Sequence, residues 1–187
     1  MPDTIFSHRE QSGTTMIEVL VTMVVLAMGL LGVAALQTQM QLSEMESYQR
    51  SQALILLNDM TGRIAANRYD ATAYVTTSPL GAGMTCSTSS STRQQSDTAE
   101  WCDALQGVAE VSGVNRVGAM VGARGCVESI SAGAYMVTVA WQGLSPVTAP
   151  PTSVSCGQNL YNGATGSSCI NDLCRRAVTT IVRNATL

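Results

Sequence analysis

The sharpest switch from polar to apolar positions lies near residue 17. From Ile17 to Leu36 the chain is apolar apart from Glu18, Thr22, Gly29 and Gly32. That length matches the roughly 20 residues a helix needs to cross a bilayer's hydrocarbon core. It exceeds the ~7–15-residue apolar region of a secretory signal peptide, and no Ala-x-Ala site follows it. Any cut is therefore expected before the segment. A carboxylate inside a bilayer costs about 2.5–3.5 kcal/mol on insertion scales, so Glu18 asks for a functional explanation.

Beyond Leu36 no proline interrupts a helix before Pro79, and its stop is expected near Asn67 to Asp70. Its second half is one-sided. Leu57, Met60 and Ile64 fall at i, i+3 and i+7, with Leu54 one turn earlier, and Asn58, Asp59, Arg63 and Asn67 opposite. Such a helix is apolar all round in an anchor and amphipathic where it meets a folded domain. Gly29 and Gly32 weaken it, and mark either a bend or a close approach to neighbouring helices.

Residues 70–97 read as an extended connection, with Pro79, Gly81, Gly83 and a Ser/Thr-rich stretch to Ser96. Asp97 or Thr98 then caps a short helix with Trp101, Leu105, Val108 and Ala109 on one face. Strands are predicted over Arg124–Ser131, over the alternating Tyr135, Val137, Val139 and Trp141, and over Arg175–Arg183. Between the last two, Pro146, Pro150, Pro151 and several glycines make a long loop to about Asp172. The expected fold is α+β: a long N-terminal helix whose second half packs on a small antiparallel sheet, with Trp141 in the core.

Six cysteines, Cys86, Cys102, Cys126, Cys156, Cys169 and Cys174, all follow the apolar segment. An even count confined to one side of an anchor predicts disulfides in an oxidising compartment. Cys86 with Cys102 is the first pair expected, because they bracket the Ser/Thr-rich loop. The other four would supply two bridges holding the C-terminal loop to the sheet, in an order that spacing does not decide. A zinc site is disfavoured: there is no CxxC pair, and the only histidine is His8.

The net charge is −3 and every basic residue is arginine, which gives no general attraction to nucleic acid. Arg68, Arg93, Arg116, Arg124, Arg175, Arg176 and Arg183 read as a solvated, salt-bridged surface, with a DNA-contact patch as the alternative. Without a histidine after residue 8, Ser-His and Cys-His nucleophiles are excluded. Glu110, Asp103, Glu128 and Asp172 have no spacing that marks a carboxylate pair. The glycines around Gly118, Gly122 and Gly125 lack a phosphate loop's strand-to-helix context. Asn162, Asn171 and Asp172 are too poor in carboxylates for a calcium loop. The reading is no catalytic activity, no metal, no cofactor and no small-molecule substrate.

The hexapeptide Gly13-Thr14-Thr15-Met16-Ile17-Glu18 resembles the leader junction of type IV prepilins. Residue by residue, the resemblance implies a cut between Gly13 and Thr14, N-methylation of Thr14, and Glu18 as the assembly glutamate. The family usually has phenylalanine where Thr14 stands. Ile17 to Val21, Gly29-Leu30-Leu31-Gly32, Leu57-Asn58-Asp59-Met60 and Ala65-Ala66-Asn67-Arg68 look most like PilV-type minor pilins. The implied organisation is a cytoplasmic leader over 1–13, a helix over 14–67 that spans the inner membrane at about 17–36, and an exported domain over 68–187. Charge alone does not orient it, since His8 and Arg9 are offset by Asp3 and Glu10. Implied partners are the prepilin peptidase, the inner membrane, and other minor pilins and the major pilin through the N-terminal helix. The implied function is promotion of pilus assembly in a priming or tip complex. A type II secretion pseudopilin, or a tip adhesin or DNA-uptake subunit, are the alternatives.

Overall fold

The computed structural model describes residues 13, 15–108, 111–113, 115–116 and 120–184. The chain forms two compact units, Met1–Ser43 and Glu44–Leu187. Helix α1 runs over Met16–Ala66.

Within the second unit, α1 buries Gln49, Ala53, Leu57, Met60 and Ile64, one stripe at helical period. Leu54, expected on that stripe, is 41% exposed, and Ala53 is fully buried in its place. The smaller side chain lets the helix backbone lie closer to what it covers. After Ala66 the chain enters a 3-10 segment, Arg68–Tyr74, with a break at Asp70, where an extended connection was expected. The tight turn sends Ala71 and Tyr74 into the core.

Helix α2 spans Arg93–Leu105. Its cap is Thr92, whose side-chain oxygen accepts from the Gln95 N–H at 3.2 Å. The Gln95 amide oxygen reaches back to the Ser91 N–H at 3.1 Å. This resembles the reciprocal bonding of a capping box. The expected start at Asp97 or Thr98 is therefore a turn too late, and Asp97 lies inside the helix and buried. Trp101 and Leu105 face the core as expected, and the Trp101 indole donates to the Leu56 carbonyl at 2.9 Å. Val108 lies past the helix end and is 41% exposed; Ala109 is outside the described residues.

The sheet is antiparallel and four-stranded, in the order β1 (Leu80–Gly81), β4 (Arg124–Ser131), β5 (Ala134–Gln142), β6 (Arg175–Arg183). Strands β2 (Val111–Ser112) and β3 (Asn115–Arg116) form a separate hairpin. The three expected strands thus gain a two-residue edge, β1, too short to be read from periodicity. A Cβ on Gly125 would lie 2.2 Å from the Trp101 ring, so glycine is what lets α2 press on β4. Strand β5 is covered on both sides. Tyr135, Val137, Val139 and Trp141 join the core shared with α1, and Thr138 and Ala140 are also fully buried.

Three disulfides brace this unit. Cys86–Cys102 ties the Ser/Thr-rich loop to α2, Cys126–Cys156 ties the C-terminal loop to β4, and Cys169–Cys174 closes the turn before β6.

Candidate functional site

Gly13 is exposed, and a Cβ there would meet nothing within 4 Å, so the fold itself does not demand glycine. Thr14 and residues 1–12 lie outside the described residues. The Thr15 carbonyl accepts from the Glu18 N–H at 3.0 Å and the Val19 N–H at 3.3 Å, which opens α1. Glu18 sits in the first turn, where a carboxylate complements the partial positive charge of the helix N-terminus.

Every side chain from Met16 to Ser43 is exposed. Ile17, Leu20, Leu26, Leu30 and Leu31 each expose more than 60% of their surface. The most apolar window of α1 has a mean hydropathy of 2.7 and none of it is buried. Among the described residues α1 is the one helix long and apolar enough to cross a membrane. An apolar surface this continuous needs lipid or other helices around it. Glu18 is the only ionisable side chain between Met16 and Ser43, and no ion pair reaches it among the described residues. Gly29 and Gly32 also have open space at their Cβ positions.

In the second unit an ionic cluster joins the end of α1 to α2. Arg63 contacts Asp59 at 3.0 Å, Asp97 at 2.9 Å and Glu100 at 2.8 Å. Asp97, whose side chain is 3% exposed, also faces Arg93 at 3.3 Å and accepts from the Tyr74 hydroxyl at 2.5 Å. Burial by itself lowers the Arg63 pKa, but its bonds to Glu100, Asp59 and Asp97 raise it above the ordinary arginine value. The bond from Arg63, then that from Ser96, holds the Glu100 carboxyl below its usual range. Burial, reinforced by Asp97, pushes the Tyr74 phenol up. Sequence reasoning assigned Asp97 to a cap and gave Tyr74 no role. The signal was faint: an acid at the i+4 position from Arg93 inside a run that also contains Trp101.

The C-terminal loop has its own buried charge. Arg175, 1% exposed, faces Asp172 at 3.2 Å and donates to the carbonyls of Val154 at 2.7 Å and Cys156 at 3.2 Å. This corrects its assignment to a solvated surface: the guanidinium is a bracket inside the loop. Arg176 holds Glu46 of α1 at 3.1 Å and the Ser145 carbonyl at 2.8 Å. Arg124 lies 5.0 Å over the Tyr161 ring, and burial raises the Tyr161 pKa.

Of the carboxylates considered for chemistry, Glu128 and Asp172 have separate partners. Glu128 accepts from Ser155, and Asp172 is engaged by Arg175 and the Asn159 N–H. Glu110 lies outside the described residues, as does Gly118. Among the described residues no three of His, Cys, Asp and Glu gather as a cation site requires.

No curated protein and no solved structure matches this chain. Residues 8–34 match the family model of the prokaryotic N-terminal methylation motif. The match places Gly13, Thr14 and Glu18 inside the motif and fits inner-membrane anchoring by the apolar helix. This motif, with a long N-terminal helix packed on a small antiparallel sheet, supports a type IV pilin-family protein, a pilin or pseudopilin, and points to a structural subunit.

Proposed function

We propose that this chain is a PilV-type minor pilin, a structural subunit that promotes type IV pilus assembly within a priming or tip complex. Prepilin peptidase cuts between Gly13 and Thr14, and Thr14 becomes the N-methylated terminus. Residues 14–67 form the assembly helix, inserted at about 17–36 with the leader cytoplasmic, and 68–187 form the periplasmic domain. After assembly the chain stands in the pilus at the cell surface, held to other minor pilins and the major pilin through its helix.

The observation that carries this reading is the lone Glu18 in a helix surface that is otherwise uncharged from Met16 to Ser43. Cleavage creates an ammonium a few residues from it. A carboxylate or an ammonium alone is penalised in an apolar bundle, whereas the two together attract strongly. The amine of one processed subunit therefore pairs with Glu18 of a neighbour, and assembly waits for processing. Deleting the gene tests the role: surface pili should be lost even where retraction is blocked. Intact piliation with a defect in protein secretion would instead identify a pseudopilin.

A further inference from the structure

Asn162–Gly163 is the one asparagine–glycine step in the sequence, and both residues are exposed to water. At such a step the glycine nitrogen can attack the asparagine side-chain carbonyl carbon, because no Cβ obstructs its approach. The two groups are neighbours in one chain, so the attack is unimolecular. Each has a partner here. The Gly163 N–H donates to the Cys169 carbonyl at 2.7 Å, and the Asn162 Oδ1 accepts from the Asp172 N–H at 2.9 Å. These bonds act in opposite directions. A nitrogen whose hydrogen is held by a carbonyl resists the deprotonation that attack requires. An N–H aimed at the side-chain oxygen polarises the amide and stabilises the negative charge that attack places there. The electrophile is prepared and the nucleophile is restrained.

The two partners are anchored differently. Asp172 is fixed from the strand side: its carboxylate faces buried Arg175 at 3.2 Å, and its carbonyl accepts from the Arg175 N–H at 2.9 Å. Its carboxylate also accepts from the Asn159 N–H at 2.7 Å. Cys169 has only local bonds. Its N–H donates to the Ser167 hydroxyl at 3.0 Å, and the Ser167 N–H donates to the Ala164 carbonyl at 2.9 Å, in a turn whose residues 164–166 are exposed. Ile170, next to it, accepts from the Leu173 N–H at 3.0 Å. What ties Cys169 to the packed unit is its disulfide to the fully buried Cys174. Without that bridge the Cys169 carbonyl loses its fixed position, and the Gly163 N–H loses its acceptor, while the Asp172 N–H stays in place.

We infer that Asn162 is a self-modification site held closed by the Cys169–Cys174 disulfide. In a chain that lacks the bridge, the Gly163 nitrogen gives its proton to solvent and bonds to the Asn162 Cγ. The Cγ–Nδ2 bond breaks, Nδ2 takes up a proton and leaves as ammonia, and a cyclic imide remains. Water opens the imide at either carbonyl and leaves aspartate or isoaspartate. Nothing is oxidised or reduced, and water is the only co-reactant. The product carries a new negative charge beside the Asp172 backbone, so chains that fail to close the bridge become chemically distinct from those that do. This inference is independent of the filament role.

The test incubates the full chain in detergent micelles in mildly alkaline buffer and locates isoaspartate and the amide-to-acid mass change by peptide mapping. A linear peptide with the sequence of residues 160–167 gives the unrestrained rate. The native chain should convert more slowly than the peptide. The double variant Cys169→Ala, Cys174→Ala, with its circular dichroism unchanged, should convert about tenfold faster than the native chain, the factor that one hydrogen bond carries. Ser167→Ala frees the Cys169 N–H with the bridge intact, so its rate should stay below the peptide's, and it tests the bridge without removing it. A native chain or Ser167→Ala converting at the peptide's rate, or a folded double variant no faster than the native chain, would overturn the restraint. Conversion confined to other asparagines would overturn the site.

Discussion

Replacing Asp97 with alanine tests whether the cluster between α1 and α2 holds the second unit together. The carboxylate is 3% exposed and serves Arg63, Arg93 and Tyr74 at once. Breaking a buried pair by removing one partner costs about 3–5 kcal/mol when the remaining charge is stranded. Here Arg63 keeps Asp59 and Glu100, and Arg93 is 77% exposed, so neither cation is stranded. The main casualty is the Tyr74 hydroxyl, whose donor loses its acceptor while Asn67 still donates to it at 3.2 Å. A buried unsatisfied group costs about 1–3 kcal/mol, and a lost charge-assisted bond adds to it. The expected total is about 3 kcal/mol. With a urea slope of about 2 kcal/mol/M, the midpoint should fall by about 1.5 M with the slope unchanged. Urea unfolding of the oxidised protein in detergent, followed by Trp101 and Trp141 fluorescence, measures it. Tyr74→Phe should lose less, and the double variant should lose less than the sum, because the pair shares one bond. A loss below about 0.5 kcal/mol for Asp97→Ala, within the range of surface changes, would refute the reasoning.

Three further outcomes are expected. Burial and Asp97 raise the Tyr74 phenol above its unfolded value of about 10, so stability is intact below that pH. It should then decline as pH rises through the folded value, and Tyr74→Phe should flatten that alkaline limb in thermal melts. Replacing both Cys126 and Cys156 with alanine opens a sequence separation of 30, worth about 3.5 kcal/mol by chain entropy. Replacing Cys169 and Cys174 opens a separation of 5, worth about 2 kcal/mol, so non-reducing melts should rank the first pair as the larger loss. Gly13→Val should leave residues 1–13 attached, visible as an unprocessed mass, and a normally processed product would rule out that junction.

What could be read in advance was whatever is written locally. The period of Leu57, Met60 and Ile64, and the alternation of Tyr135 to Trp141, each announce a face that must be covered. The methylation motif is legible for the same reason, since its residues are contiguous. Features that depend on distant partners were not. Thr92 is one hydroxyl among many in a Ser/Thr run, and only the Gln95 bonds single it out as the cap. Leu54 and Ala53 both suit a helix stripe, and the approach of the packed sheet selects the smaller. Arg175 looks like its exposed neighbours until the loop closes over it and brings the Val154 and Cys156 carbonyls to the guanidinium. The pairing of Cys126 with Cys156 rests on the loop's return to β4, which no spacing records.

The central claim is that processing creates an amine whose partner is Glu18. The measurement is the amount of Glu18→Ala protein in sheared surface filaments, set against processed protein in the membrane fraction and quantified by immunoblot and intact mass. The account predicts a cleaved, membrane-held variant that is missing from filaments. Incorporation at the native level, with the leader removed, would contradict it.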